Sequence, residues 1–597
     1  MARRKETSSG LVLVFLAIFI FFAGCVRRPP PIAHRPHAAY LHWLENQSML
    51  SKAPRYISQV SQSERVWLNS TSRARPDILL AAAPEWAKLS PASPDFYKRA
   101  SADLEKIVAL GIRGVFLGQL GENLDIWLSE PGSPSGAPAA SLDPSSGYGP
   151  PEDFSRLLER AEAAGLEIGS DLPSASTGRG PDFILQARNA GGHQGLYAMI
   201  PLPDNFEALP AAQGEWDASI LGEKIVSELS EMGILPKSVS RDKYDWASSG
   251  WAVTGNVSGI DGKPRRWLYR FEKTPKSPVI LWQDPSGAAR QIFSAAIIRQ
   301  TGLDGQSLLG ISAGAWMGLE PISGLGEEGK DLFSPGIEAV NDLARQIAQY
   351  GGWALQIDPV PPTAILEVLA GACDFCVDEL TPLALLDGMR AGDASSLALL
   401  YGAWIKNRLP FNRLAHGFNA RDNIPAALLN HIPESASKID SRATLEAVSL
   451  EETKREGMEN LPEAFRELAI DWALSLPGLA FLELNSLDAS RLEKGRLDLL
   501  RARGRHKLAL AATERVSVPA GGTLTLFHRL PDGAGWLSIL NLAKTPREVA
   551  IDLPKPARRA LDAVENRSLD DKLSADRRKI RLALDVWQAQ NVLLYWE

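Results

Sequence analysis

The sequence has few cysteines, and beyond its N-terminus it has no long basic run. Three of the 597 residues are cysteines, and 64 Lys and Arg against 71 Asp and Glu give a net charge of −7. A chain without a basic run is not expected to bind nucleic acid as its main partner. No His pair stands at metal-ligand spacing and no P-loop occurs, so we expect neither a metal site nor a bound cofactor.

Two of the cysteines, Cys373 and Cys376, form a single CxxC within the strand-like run ACDFCV. A zinc site of the common type needs a second pair of ligands, which the sequence lacks. Residues three apart on a strand point to opposite faces of a sheet. This favours two core cysteines, with a disulfide as the alternative because the chain is predicted to be exported.

The N-terminus has the parts of an export signal. The basic MARRKE precedes an apolar run from Leu11 to Phe22, and small residues then lead to Cys25. The run is too short for a comfortable membrane span, and the pattern resembles the lipobox of bacterial lipoproteins. The resemblance implies that Cys25 carries a lipid after removal of residues 1–24, and that the protein is anchored in the bacterial cell envelope, on its periplasmic or cell-surface side. Val26 favours the outer membrane, and an uncleaved N-terminal anchor is the alternative.

From about residue 76 the chain alternates strand-like and helix-like segments. PDILLAAA and IRGVFLGQL are predicted as buried strands, whereas residues 96–110 and 154–164 carry apolar side chains at helical spacing. This order predicts a parallel sheet with helices outside it, either doubly wound or closed into a barrel. The alternation breaks between about 190 and 265 and resumes at VILW, from residue 279. Beyond residue 501, short strands separated by turn signals predict an antiparallel β domain.

A series of collinear segments carries the main resemblance of the chain. Asp143-Pro144 is followed by GYGPPEDFSRLLERAEAAGLEIGSDL, then by PDFILQAR, WQDPSGAAR, LPGLAFLELN and WLSILNLAKTPREVAIDL. Over residues 76–597 these segments resemble the α-amylase superfamily (glycoside hydrolase family 13), and within it the trehalose synthases and α-glucosidases. The resemblance implies an α/β fold, a (β/α)8 TIM barrel with an inserted domain B and a C-terminal antiparallel β-sandwich.

The predicted organisation follows from the signal, the alternation and this resemblance. It comprises a signal peptide with lipobox at 1–25, a tether and irregular lead-in at 26–75, a first barrel part at 76–185, domain B at 186–265, a second barrel part at 266–500 and the sandwich at 501–597.

The resemblance also locates the family's site residues, at the C-terminal ends of barrel strands. They correspond here to Asp171, Ala175 and Ser176 (an Asp and an Asn-His pair), Ser307 and Leu309 (an Arg and the nucleophilic Asp), Ile357 (the general-acid Glu), and Ala420, Arg421 and Asp422 (an Asn-His-Asp motif). At the fifth strand the alignment is loose by one residue, so Asp358 is an alternative acid.

These replacements remove the chemistry that the family uses. Retaining glycoside hydrolysis needs two carboxyl groups about 5–5.5 Å apart, one to attack and one to protonate. We therefore expect a catalytically inactive amylase-like protein that binds a glycan, such as an α-glucan or oligosaccharide, or an envelope protein. Asp171, Arg421 and Asp422 are its candidate binding residues. The alternative is an active α-glucosidase or glucosyl transferase whose displaced carboxylates are Asp358 and Asp422.

A short motif supports a third, remote hypothesis. Residues 310–314 read GISAG, the G-x-S-x-G pattern of an α/β-hydrolase nucleophile, with Ser312 at its centre. Asp358 or Asp374 and His416 or His431 follow in the chain order that such a triad requires. No HGGG-type oxyanion motif precedes the serine, and the flanking segments predict a barrel strand here instead.

Overall fold

The computed structural model describes residues 38–60, 76–91, 93–123, 139–203, 209, 214–235, 250–271, 274–312, 334–357, 373–417, 461–483 and 494–596. At its centre, eight parallel strands form a closed barrel, which confirms the predicted TIM barrel. The first to eighth barrel strands are Glu85–Lys88, Gly114–Gln119, Glu167–Pro173, Leu308–Ser312, Trp353–Ile357, Phe375–Val377, Leu414–His416 and Leu479–Glu483.

Helices surround the barrel and bury their apolar faces against it. They are Phe96–Ala109, Pro151–Ala163, Pro181–Ala187, Ala288–Ile297, Ser334–Gln349, Leu380–Ala391, Ser395–Lys406, Leu461–Leu474 and Lys494–Arg505. In Pro151–Ala163, a proline occupies the first turn together with acidic residues, and Phe154, Leu157 and Ala161 are buried. Both terminal features favour a helix start, and the apolar spacing defines one buried face.

One predicted strand is a helix, and the segment at which the alternation resumes is not a regular strand. PDILLAAA forms the helix Pro76–Ala82, and the first barrel strand begins only at Glu85. The segment has Pro at its start and Asp77 in its first turn, and Leu and Ala are strong helix formers. VILW makes only isolated bridges, from Val279 to Ser176 and from Ile280 to Tyr197. Short apolar runs do not distinguish a buried helix from a buried strand.

The lead-in is also more ordered than predicted. Residues 38–60 fold into the helices Ala38–Gln47 and Met49–Val60, which we call the N-terminal helical pair. The first helix packs on Pro181–Ala187 and the second on Ala288–Ile297. Met49, Ala53 and Tyr56 are buried, because positions three and four residues apart share one helix face. The prediction of an irregular segment is therefore wrong for these residues.

A small sheet lies between the third and fourth barrel strands in the sequence. Its four antiparallel strands have the spatial order Met199–Pro201, Trp267–Phe271, Gly250–Thr254 and Ala218–Ile220. The helix Glu223–Glu231 contributes Leu229 to its core. The last strand of this sheet extends past residue 265, the predicted end of the insertion, to Phe271.

The C-terminal region forms the predicted antiparallel domain. A five-stranded sheet has the order Ala512–Ala520, Thr523–Arg529, Gly535–Asn541, Gln588–Trp596 and Ala557–Asp562, and Arg547–Asp552 pairs with Lys579–Leu584. The central strand is buried on both faces. Trp536 and Leu540 pack in clusters shared with the barrel helices, whereas Leu537 and Ile539 pack against the second sheet. This is the alternation that the sequence predicts.

In the described part of the chain, no helix has the length and apolar character needed to cross a membrane. Cys25 and the rest of the predicted signal lie outside the described residues.

Candidate functional site

The barrel axis is filled by large apolar side chains. The buried interior cluster includes Trp86, Phe116, Leu308, Trp353, Leu355, Ile357, Phe375, Val377, Ala415, Leu479 and Phe481. Because successive strand residues face opposite sides, this cluster shows which residues point inward in all the barrel strands except the third. In the third strand, Leu172 packs with the outer helices, so Asp171 points inward. The inward residues at the strand ends form the candidate site.

The fourth strand presents a different residue to the interior than the sequence predicts. Leu308 belongs to the interior cluster, so Gly310 and Ser312 also face inward. Leu309 is fully buried among the outer helices, in a cluster with Leu172 and Ile292. The assignment of Leu309 to the nucleophile position in the barrel mouth is therefore wrong. The run LLGI is apolar throughout, so its pattern could not reveal which residues face inward.

Ser307, the predicted counterpart of the family's Arg, lies at the opposite end of the strand. It precedes Leu308, and its hydroxyl donates to the Ile168 carbonyl at 3.2 Å. Ala175 and Ser176 are buried in the segment after the third strand. Ala175 and Ser176 thus follow the third strand, where the resemblance places them, whereas Ser307 does not lie at the C-terminal end of the fourth strand.

Asp171 faces the interior and has a partner that the sequence did not identify. The Ser312 hydroxyl donates to the Asp171 carboxylate across the third and fourth strands, with 2.5 Å between the oxygens. In the register of these strands, Asp171 lies opposite Gly310. The carboxylate is therefore held at the strand ends by a hydroxyl group where the family places charged residues.

Ile357 occupies the interior at the end of the fifth strand. It pairs in register with Ser312 and is 6% exposed. A methyl group built on Gly310 would come within 2.2 Å of the Ile357 Cδ1, so Ile357 packs directly over the glycine. The ends of the third, fourth and fifth strands thus present one carboxylate, one hydroxyl and one aliphatic side chain.

A small cavity lies beside Asp171. It has a volume of about 30 Å³ and is lined by residues that include Met49, Asp143, Asp171, Thr177 and Gln306. The amide nitrogen of Gln306 is buried there without a hydrogen-bond partner. The enclosed part of this cavity has room for about one water.

Among the described residues, no Asp and His side chains complete a serine-hydrolase triad with Ser312. Ser312 faces the barrel interior, whereas His416 follows the inward Ala415 and so faces the helix layer. His416 Nδ1 lies 2.8 Å from an oxygen of Asp378. Asp374 instead accepts a hydrogen bond from the Ala354 amide at 2.9 Å. Asp358 and His431 lie outside the described residues.

The two cysteines of the CxxC are free and buried. Burial raises the pKa of the Cys376 thiol to about 12 and also raises that of Cys373, so both are unreactive thiols in the core. The core interpretation is confirmed. Over the described ranges, no three His, Cys, Asp or Glu side chains are grouped to hold a metal ion. Ala420, Arg421 and Asp422 lie outside those ranges.

Comparison with known proteins gives matches in structure alone. No protein-family model and no curated protein matches the chain. The α-amylase of Geobacillus thermoleovorans, solved with acarbose, has 13% identity and a TM-score of 0.50, over 87% of this chain and 99% of the amylase. An α-amylase of Malbranchea cinnamomea has 12% identity and a TM-score of 0.52, over 87% and 98% of the two chains.

A third solved structure is the trehalose-6-phosphate hydrolase of Bacillus licheniformis. It has 10% identity and a TM-score of 0.53, over 86% of this chain and 99% of the hydrolase. At these identities the likeness establishes architecture rather than activity. The resemblance found in the sequence is thus confirmed at the level of the fold, and the chain adopts the fold of the α-amylases.

Proposed function

We propose that this protein is a non-catalytic member of the α-amylase fold, anchored to the bacterial cell envelope through Cys25, that binds a partner instead of cleaving a glycoside. One observation carries the proposal. The inward residues at the ends of the third, fourth and fifth strands are Asp171, Ser312 and Ile357. A retaining mechanism requires two carboxyl groups about 5–5.5 Å apart at such positions.

The chemistry of these side chains supports inactivity. A serine hydroxyl becomes an effective nucleophile when a base of suitable pKa accepts its proton, and the partner of Ser312 is a carboxylate. The side chain of Ile357 cannot protonate a leaving oxygen. A methyl of Ile357 packs over Gly310, so neither of these two neighbouring positions offers an acidic group.

An oligosaccharide is the first class of ligand to test, because one solved relative of the same fold was crystallised with acarbose. An envelope protein is the second. An active glycosidase with displaced carboxylates is the competing function, since the similar structures include α-amylases and a trehalose-6-phosphate hydrolase. Asp358 and Asp422 would then supply the chemistry.

The test is a turnover and binding assay on the protein from residue 26 onwards. We expect no hydrolysis or transfer on maltose, trehalose or α-glucan, together with binding on a glycan array or to a solubilised envelope fraction. Asp358→Asn and Asp422→Asn should change nothing in the turnover assay. Turnover by the wild type that either variant abolishes would replace this proposal with the displaced-carboxylate enzyme.

A further inference from the structure

The body of the protein holds the N-terminal helical pair through a buried carboxylate. Asp182, which is 1% exposed, accepts hydrogen bonds from the Ser48 hydroxyl at 2.7 Å, the Met49 amide at 2.8 Å and the Leu50 amide at 3.1 Å. These donors lie at the start of the helix Met49–Val60, where backbone amides lack partners in the helix and attract negative charge. Asp182 therefore caps a helix from a distant part of the chain.

The other end of this helix is held by a second carboxylate of the body. Tyr56 donates a hydrogen bond to Asp143, and the Lys52 Nζ lies 3.5 Å from the same side chain. Asp143 belongs to the short strand Ala139–Pro144 beside the barrel. The helix is thus held at both ends by charged groups that belong to the body.

Apolar contacts complete the surface. Between the two carboxylates, Leu50 and Ala53 pack in the same cluster as Ile292 of the helix Ala288–Ile297. Tyr40 and Leu44 of the first helix pack on Ile184 and Leu185. The guanidinium of Arg188 lies 5.9 Å from the centre of the Tyr40 ring. The N-terminal helical pair is therefore bound by apolar burial along its length and by specific polar groups at defined points.

We propose that this surface is a docking site for the anchored N-terminus, which holds residues 38–60 to the body without help from the covalent connection through residues 61–75. The proposal rests on the proposed lipid at Cys25. With the helical pair docked, the tether to the membrane is residues 26–37, or 12 residues, instead of residues 26–75, or 50 residues. Twelve residues span at most about 43 Å, against about 180 Å for fifty.

The short tether also determines how close the docked side of the body lies to the membrane. It keeps the flank of the barrel that carries Asp182 and Asp143 next to the membrane. Residues 26–37 contain Arg27, Arg28 and Arg35 and no acidic residue, and basic residues beside a bilayer are attracted by anionic lipids. A docked helical pair thus limits how far this side of the body can move from the bilayer.

The first experiment uses the soluble protein from residue 26 onwards, with a Gly/Ser-flanked protease site inserted between Val60 and Pro76. After cleavage, we expect the N-terminal fragment to co-elute with the body in gel filtration at low micromolar concentration. Asp182→Asn should speed its dissociation at least about tenfold, because a hydrogen bond to a charged group contributes a factor of ten or more. Ser48→Ala removes one of the same hydrogen bonds but leaves the body unchanged, so it replaces Asp182→Asn as the test if that variant fails to fold. It should also speed dissociation of the fragment.

The matched control is Asp103→Asn. Asp103 is paired with Lys106 within its own helix, and its replacement should leave retention of the fragment unchanged. Immediate separation of the wild-type fragment on cleavage would overturn the proposal. Equal retention by the wild type and by both the Asp182→Asn and Ser48→Ala proteins would overturn it as well.

The second experiment uses the full chain on membranes, with the same protease site. After cleavage, the wild-type body should remain with the membrane pellet, and the Asp182→Asn body should move to the supernatant. If the uncleaved protein is itself soluble, the anchoring proposal fails, while the gel-filtration result still decides the docking. Release of the wild-type body from membranes would overturn the docking.

Discussion

Ser312 donates a hydrogen bond to Asp171 across two adjacent barrel strands, with 2.5 Å between their oxygens. This contact joins an inward carboxylate at the end of the third strand to a hydroxyl at the end of the fourth. The hydrogen bond links the ends of the third and fourth strands through their side chains, beside the main-chain pairing of Asp171 with Gly310.

Introducing a carboxylate at Leu309 should destabilise the protein without creating activity. Leu309 is fully buried against the outer helices, so Leu309→Asp places an unpaired charge in an apolar layer and should lower the free energy of unfolding by about 3–5 kcal/mol. Urea denaturation measures the loss, and Leu309→Met should cost less than about 1.5 kcal/mol. A Leu309→Asp protein that hydrolyses maltose would show that residue 309 faces the barrel mouth.

The packing of Ile357 on Gly310 predicts a compensating pair of substitutions. Gly310→Ala should lower the free energy of unfolding by about 1–3 kcal/mol, because the new methyl meets the Ile357 side chain. In the Gly310→Ala/Ile357→Ala double variant the two effects should be less than additive, since the shortened side chain leaves room for the methyl. A double-mutant cycle by denaturation checks this. Strict additivity would place Ile357 away from Gly310.

A buried histidine predicts loss of stability in acid. His528 has no exposed surface, and its pKa is lowered from 6.5 to about 3, first by burial and then by Arg503 and His416. The unfolded chain therefore binds an extra proton between these pH values. The stability that His528 contributes is complete above pH 6.5 and declines as the pH falls toward 3, by up to about 1.4 kcal/mol per pH unit.

The measurement is the free energy of unfolding between pH 4 and pH 7. His528→Gln should flatten its slope, because glutamine does not titrate, whereas the exposed His42→Gln should leave the slope unchanged. Identical slopes in the wild type and His528→Gln would contradict the assignment of the acid sensitivity to His528.

The lipobox predicts how the protein is located. Cys25→Ser should prevent lipid attachment, and the protein should then be released or accumulate as unprocessed precursor, as judged by membrane fractionation and mass spectrometry of the N-terminus. A Cys25→Ser protein that matures and sediments with membranes like the wild type would exclude the lipid anchor.

The sequence predicted most of the architecture because alternating and helical patterns are local. The alternation of side chains along a strand was enough to predict that Trp536 and Leu537 lie on opposite faces of the sheet. The helical pair was missed because its binding partners, Asp182 and Asp143, lie about a hundred residues away in the sequence. The sequence does not show which residues of the fourth strand face the barrel interior, because the strand is continuously apolar. The outward orientation of Leu309 is defined only by its neighbours in the barrel, so its assignment to the inner face was wrong.

The contact between Gly310 and Ile357 makes this end of the barrel part of the packed core that stabilises the protein. Enzyme active sites commonly reduce stability, because they retain strained or incompletely packed groups for catalysis. Here an isoleucine methyl fills the space over a glycine, and the same strand ends add to the hydrophobic core. A carboxylate introduced at Gly310 or Ile357 would therefore lower the stability of the barrel, so under the proposed non-catalytic function this packing and a glycosidase site exclude each other.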